Sequence, residues 1–124
     1  MTRAAPRGLA AAALLALAPA AAPAGEADVL AATARCAATC RFVVTVRHAD
    51  TGWDHYADRF EIVGPGGETI AKRVLRHPHV DEQPFTRSLE DVRVPDGVER
   101  VRVRAGDSVH GLGGAEVEVP IERP

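Results

Sequence analysis

Apolar and polar residues alternate along much of the chain after residue 40. The first such stretch places Phe42, Val44 and Val46 on one face, which predicts a half-buried β-strand. The stretch RVRVRA shows the same alternation most clearly, with Val101 and Val103 on its apolar face. A period of two residues predicts strands and argues against amphipathic helices.

Turn-forming residues separate six such segments. The second strand, RFEIV, ends at the turn GPGG, and the third strand spans residues 69–76. A fourth strand spans residues 85–94, with a bulge expected at Glu90 and Asp91, where the alternation slips. RVRVRA and AEVEVPIE form the last two strands. This pattern predicts an all-β fold, an antiparallel β-sandwich of immunoglobulin or fibronectin type III character with about six to seven strands.

The beginning of the chain has the features of an export signal. Arg3 and Arg7 accompany the apolar run LAAAALLALA, and APA at residues 22–24 fits a small-residue cleavage site. The run is too short for a membrane-spanning helix. We therefore expect a signal peptide over residues 1–24 and a periplasmic or secreted protein without a membrane span.

After the signal, residues 25–39 are expected to form an N-terminal arm and residues 40–124 the β-domain. The arm reads equally as a short helix capped by Asp28, an extra edge strand or a loose segment. Cys36 and Cys40 lie in CAATC, and two thiols this close in an exported protein usually form a structural disulfide. A redox pair has a shorter spacing, and a copper-binding CxxxC pair belongs to a thioredoxin-like fold that this chain does not resemble.

The charge of the chain argues against nucleic acid as a partner. Removing Arg3 and Arg7 from the 15 basic residues leaves 13, against 17 acidic residues, a net charge of −4. The remaining basic residues form no stripe interleaved with aromatic side chains.

The histidines fall in alternate connections between the predicted strands. The first connection carries two, the third two and the fifth one: His48, His55, His77, His79 and His110. Because consecutive antiparallel strands run in opposite directions, alternate connections lie at the same end of the domain. The sequence therefore predicts that all five histidines share one end.

Such a cluster has the composition of a metal site. Imidazole is a common ligand of copper and zinc, and the proline between His77 and His79 restricts the backbone that holds both rings. Met1 is the only methionine, which argues against a thioether site for Cu(I). Histidine and carboxylate ligands suit Cu(II) or Zn(II), with iron as a weaker third choice, and we expect one of these ions as the cofactor. No motif indicates a nucleotide or organic cofactor. The carboxylates expected to orient the imidazoles or to replace them as ligands are Asp50, Asp54, Asp81, Glu82 and Asp107.

Two other readings compete with the metal site. His48 alone also suits a hydrogen-bonded side chain at the end of the core, because it continues the inward face of the first strand. The same end of the domain also suits an adaptor that binds another periplasmic protein without a metal. Its expected contact surface combines aromatic and arginine anchors: Trp53, Tyr56, Arg76, Phe85 and Arg87. Trp53 reads equally as a cover for the core.

A hydrolase is the third reading, from Asp107, Ser108 and His110 in one loop. A nucleophilic serine needs a base within reach and oxyanion donors behind it, usually on a strained elbow, and no GxSxG motif is present. We therefore expect a binding protein rather than an enzyme and assign no catalytic residue.

Three segments, HADTGWDHYAD, HPHVDEQPFTRSL and DSVHGLGG, resemble a family of small exported bacterial proteins without a known function. The resemblance covers most of the chain after the signal. It implies secretion and a compact β-domain, and it carries over no site.

Overall fold

A computed structural model describes residues 25–124 of the chain. In that range all regular elements are strands: β1 (Asp28–Cys36), β2 (Cys40–Arg47), β3 (Ala57–Val63), β4 (Thr69–Val74), β5 (Phe85–Val92), β6 (Arg100–Asp107), β7 (Gly111–Leu112) and β8 (Val117–Pro120). The all-β prediction is therefore confirmed for these residues. The signal peptide predicted over residues 1–24 lies outside them. The described part of the chain contains no helix long and apolar enough to cross a membrane.

The strands form two antiparallel sheets. Three strands make one sheet in the order β1-β2-β5, and five make the other, in which β4, β3 and β6 are neighbours. Both β7 and β8 pair with β6, β7 at its end and β8 at its beginning. The finer assignment to an immunoglobulin or fibronectin type III sandwich stays a prediction.

Side chains from both sheets join in one core. Phe42, Val44 and Val46 of β2 are fully buried, as the alternation predicts, and Phe60 and Ile62 of β3 are buried with them. Burial of each such side chain contributes about 1.5–3 kcal/mol to folding. The inward faces of the strands therefore form the core, and the loops extend from the ends of the strands.

The arm over residues 25–39 adopts one of its three expected forms, the edge strand. β1 pairs with β2 along almost its whole length, and Cys36 lies opposite Cys40 in that register. The two cysteines are joined, so the disulfide prediction is confirmed. The bond closes the β1–β2 hairpin.

The expected bulge in β5 is also confirmed. Cys40 of β2 lies opposite Val92, whereas Phe42 lies opposite Leu89, so β5 holds one extra residue between these pairs. Asp91 lies in that stretch with a φ of 56°. A left-handed conformation at the extra residue is a usual way to accommodate a bulge.

The register brings the histidine-bearing connections to one end. Val46 near the end of β2 lies opposite Phe85 at the start of β5. Ala57 at the start of β3 lies opposite Asp107 at the end of β6. The two strands that sequence reasoning did not assign, β1 and β7, precede the first of these connections and follow the last. The three connections that carry histidines therefore lie at the same end of the domain, as predicted. They span residues 48–56, 75–84 and 108–110.

Candidate metal centre

His48 follows β2 and continues its inward face. Its side chain is fully buried, with Nδ1 2.6 Å from Oδ1 of Asp50 and Nε2 2.9 Å from the carbonyl oxygen of Gly25. A carboxylate and a carbonyl both accept hydrogen bonds. Both ring nitrogens of His48 therefore face hydrogen-bond acceptors.

Asp50 fixes the orientation of this histidine and joins two loops. Its Oδ1 accepts hydrogen bonds from His48 and from the backbone N–H of Ala57, the latter at 2.9 Å. Its Oδ2 accepts the backbone N–H of His79 at 2.8 Å. Both oxygens therefore accept hydrogen bonds, and Asp50 holds the imidazole of His48 in its orientation.

Gln83 joins the same two loops and was not identified from the sequence. Its Oε1 accepts the backbone N–H of His48 at 3.0 Å, and its Nε2 donates to the carbonyl oxygen of His79, also at 3.0 Å. The sequence does not indicate that this glutamine bridges two loops, because the bridge depends on which loops the folded sheets bring together.

Asp107 ends β6 and is 1% exposed. Its Oδ1 accepts the backbone N–H groups of Val109 at 2.8 Å and His110 at 2.7 Å. Burial by itself raises the pKa of this carboxyl. The backbone hydrogen bonds from His110 and Val109, with the charges of His48 and His110, outweigh burial and hold the pKa of Asp107 below its ordinary value. The centre therefore contains a buried, ionised carboxylate.

Three imidazoles surround this carboxylate. Nε2 of His55 lies 3.2 Å from Oδ1, Nε2 of His48 lies 3.6 Å from Oδ2, and Nδ1 of His110 lies 3.3 Å from Oδ1. The ligand atoms of His48, His55 and Asp107 all lie within 4.8 Å of one another. In a tetrahedral zinc site, metal–ligand distances of about 2.0–2.2 Å place neighbouring ligand atoms about 3.3 Å apart. The spacing around Asp107 is thus close to that of a coordination shell.

The nitrogen of His55 has no partner of its own. Nε2 is buried and makes no hydrogen bond within the described part of the chain. It nevertheless lies 3.2 Å from a carboxylate oxygen of Asp107. The two atoms are close without the alignment that a hydrogen bond requires. An ion held by both atoms would satisfy the buried nitrogen and the carboxylate together.

His77 and His79 form a second pair beside this group. Their ring centroids lie 4.5 Å apart, and the ring of His79 stacks on Phe85 at 4.1 Å. His77 is exposed, whereas His79 is 5% exposed. Neither histidine belongs to the group of His48, His55 and Asp107; His110 does not belong to it either, but its ring lies 5.0 Å from that of His55. The structure thus gathers the five histidines at one end but divides them into a trio and a pair.

The remaining predicted carboxylates lie outside the centre. Asp54 and Asp81 are exposed, and Glu82 pairs with Arg87 at 3.1 Å. Each of the three thus lies at the surface of the loops. Only Asp50 and Asp107, of the five carboxylates named from the sequence, are buried at this end of the domain.

The expected partner surface needs one correction. Phe85 is 1% exposed and belongs to the core, because it begins β5 on the inward face opposite Val46. Trp53 does not cover the core, since it is 66% exposed and packs edge-on against Tyr56 at 5.5 Å. Arg76 is exposed as expected.

The serine of the hydrolase reading has a different hydrogen bond. Ser108 Oγ accepts the backbone N–H of Tyr56 at 3.1 Å. The imidazole of His110 instead faces Asp107. Within residues 25–124 no hydrogen bond links Ser108 to an imidazole, so the geometry does not favour a nucleophilic serine.

No family model matches the chain, and no solved structure matches it. A protein named "Putative lipoprotein" from Halomicrobium mukohataei is 42% identical over 81 residues. The match covers 65% of this chain and 39% of that protein, so the chain spans about two fifths of the relative's length. The match suggests an uncharacterised family, and the name of the relative states no activity.

Proposed function

We propose that this protein is an extracytoplasmic domain that binds one Cu(II) or Zn(II) ion through His48, His55 and Asp107. His110 supplies the fourth ligand. The observation that carries the proposal is the buried Nε2 of His55, which has no hydrogen bond and lies 3.2 Å from Oδ1 of Asp107. A buried polar atom without a partner costs about 1–3 kcal/mol, and a bound ion removes that cost.

Coordination at His48 requires a free lone pair on one ring nitrogen. Asp50 accepts from Nδ1 of His48, which leaves Nε2 as the ligand atom once its contact with Gly25 is given up. Metal ligands must be deprotonated, so binding releases protons and strengthens as the pH rises through the neutral range. The Asp50–His48 pair resembles the carboxylate–histidine arrangement that orients metal ligands in other proteins.

The donor set favours Cu(II) or Zn(II). Imidazole nitrogens and one carboxylate suit both ions, and Cu(II) is expected to bind more tightly because it lies higher in the general affinity order. The two cysteines are joined to each other and supply no thiolate. Thiolate coordination by this chain is therefore not part of the proposal.

Two observations support an extracytoplasmic location. The disulfide between Cys36 and Cys40 fits an oxidising compartment. The relative from Halomicrobium mukohataei is named as a lipoprotein, a class of exported and membrane-attached proteins. With the signal peptide predicted over residues 1–24, they favour a periplasmic or secreted protein.

Metal titration of the purified protein tests the proposal. Isothermal titration and elemental analysis should show one equivalent of Cu(II) or Zn(II), and the electron paramagnetic resonance spectrum of the copper form should show nitrogen hyperfine coupling. His55→Ala should weaken binding by more than about a hundredfold, beyond the loss typical of a residue that only orients a ligand.

His77→Ala is the matched control, because it removes an exposed histidine of the neighbouring pair. It should leave metal affinity unchanged. Absence of stoichiometric binding near neutral pH would contradict the proposal. So would an equal loss of affinity in the His55 and His77 variants.

A second candidate function is contact with a protein partner at the same end. Three apolar side chains in these loops are more than half exposed: Trp53, Val80 and Val109, at 66%, 51% and 58%. Tryptophan is a frequent anchor of interfaces. A specific partner should be lost on Trp53→Ala but retained by His55→Ala, whereas Trp53→Ala should leave metal titration unchanged.

A further inference from the structure

A small cavity opens beside the pair formed by His77 and His79. Its volume is about 200 Å³, below the range of about 300–1,000 Å³ that is common for organic ligands. Its walls are mainly basic: Arg73, Leu75, Arg76, His77, His79 and Arg87. Its size suits a small ion or a single functional group rather than a large molecule.

One wall of the cavity carries a buried imidazole without a hydrogen-bond partner. Both ring nitrogens of His79 are buried and make no hydrogen bond within residues 25–124. The ring stacks on Phe85 with an angle of 8° between the planes, and this contact fixes its orientation. A neutral imidazole always has one N–H group, so His79 presents a buried donor that needs an acceptor.

The charges around His79 favour an anion as that acceptor. Arg87 is paired with Glu82, and Arg73 donates to the carbonyl oxygen of Ser88. Arg76 lines the cavity with no ion pair to any described residue. Three guanidinium groups therefore line the cavity, whereas two carboxylates, those of Glu82 and Asp50, act on His79, so the excess is positive.

The pKa of His79 is consistent with this excess of positive charge. Burial, the charge of Arg87 and the charge of His77 lower the pKa of His79 below 6.5. These influences oppose the arrival of another cation at the ring. A negative charge would offset the repulsion from Arg87 and His77, although not the effect of burial.

We infer that this cavity binds a small oxyanion, a phosphate or carboxylate group, through the N–H of His79 and the guanidinium groups of Arg76 and Arg87. Guanidinium forks match the geometry of such oxygens. Arg76 and His77 are exposed, so they are the lining side chains free to move toward the incoming anion. The anion site shares no proposed ligand residue with the metal centre.

Nuclear magnetic resonance of the protein labelled at its histidine rings tests the inference. Inorganic phosphate, and sulfate and acetate in parallel, are titrated at constant ionic strength, once without EDTA and once with it. Phosphate should shift the ring signals of His79 in a saturable way, with a dissociation constant in the range of about 1 mM. Arg76→Gln should weaken this binding about tenfold, as expected for one hydrogen bond to a charged group.

Arg100→Gln is the charge-matched control. Arg100 is exposed at the beginning of β6, whereas the cavity lies at the end where β4 finishes. The control should bind phosphate as the unmodified protein does. His79→Phe keeps an aromatic ring on Phe85 and should abolish binding, with urea unfolding to verify its fold.

A saturable response to acetate in place of phosphate would support the site and identify a carboxylate as its ligand. The inference is overturned if none of the three anions gives a saturable response. An equal loss in Arg76→Gln and Arg100→Gln, or a response that disappears with EDTA, would overturn it as well. The last result would locate the anion on a bound metal and leave the metal proposal intact.

Discussion

Asp50 shows how much one buried carboxylate can organise. It lies 6% exposed and accepts three hydrogen bonds, from the ring of His48 and from the backbone N–H groups of Ala57 and His79. His48 and His79 belong to two different loops, and Ala57 begins β3. The hydrogen bonds of this one side chain therefore fix the ring of His48 and the backbone at His79.

Asp50→Asn tests this role. The amide has one acceptor oxygen and an NH₂ group, which would face a donor in place of the lost oxygen. We expect the free energy of unfolding to fall by about 3 kcal/mol, as for a broken buried charge pair, measured by urea unfolding. Metal affinity should fall about 10- to 100-fold, because His48 loses the group that orients it.

Asp54→Asn is a suitable control, since Asp54 lies exposed in the same loop. It should change stability by less than about 0.5 kcal/mol. Equal effects at positions 50 and 54 would show that a general change of charge, and not the hydrogen bonds of Asp50, is responsible.

His79 makes the stability of the fold depend on pH. Burial, with the charge of Arg87 next, holds the pKa of His79 below its ordinary value of 6.5. The unfolded chain therefore takes up a proton near pH 6.5, whereas the folded chain takes it up only at a lower pH. This contribution to stability is complete above 6.5 and is lost as the pH falls toward the folded-state value.

Urea unfolding between about pH 7.5 and about pH 5, in a buffer without phosphate, measures this effect. The free energy of unfolding should decrease over that range in the unmodified protein. His79→Phe should show a smaller decrease, because it removes the titrating group and keeps the stack on Phe85. Identical decreases in the two proteins would contradict the assignment to His79.

Among the strands, those in which apolar and polar residues alternate can be predicted from the sequence. Phe42, Val44 and Val46 mark β2, and Val101 and Val103 mark β6, because each strand buries one face. β1 could not be separated from a helix or a loose arm, since alanine-rich sequence shows little contrast between its faces. β7 has only two residues, too few for a period.

The disulfide stabilises one hairpin and should not affect the metal centre. Cys36 and Cys40 close a short loop at the start of β2, whereas His48 follows its end. Cys36→Ala with Cys40→Ala should lower the free energy of unfolding by about 2 kcal/mol, the entropic value for a short loop. Metal affinity should be unchanged in titration of the folded variant.

Reduction of the unmodified protein by a thiol should give the same loss of stability. If metal binding disappears in the double variant while the fold persists, the hairpin and the metal centre are linked in a way that the contacts do not predict.

For the whole molecule, the gathering of histidines could be predicted and their grouping could not. Alternate connections share an end in any antiparallel arrangement, so the common end follows from strand order alone. The division into a trio and a pair depends on Asp50, Gln83 and Asp107, whose contacts cross between loops. Phe85 was assigned to the surface because the strand boundary alone does not show which face its first residue takes.

Metal binding should stabilise the entire domain. An ion that binds only the folded state adds about 2.7 kcal/mol at a free concentration one hundred times its dissociation constant. For a domain of this size, each 1 kcal/mol raises the melting temperature by about 4–8 °C. Calorimetry should show this increase with Cu(II) or Zn(II), and EDTA should reverse it.

The same experiment on His55→Ala should show little increase. An equal increase in the variant would place the stabilising ion elsewhere on the protein.

The two oxygens of Asp50 have a further consequence. One accepts from the ring of His48 and the other from the backbone of His79. A shift of the carboxylate toward either loop would therefore be felt in the other, which would link occupancy of the proposed metal centre to occupancy of the proposed anion cavity. Such linkage is reciprocal: whatever factor the metal applies to anion affinity, the anion must apply to metal affinity. The domain would then respond to two solutes jointly, as a coincidence detector does.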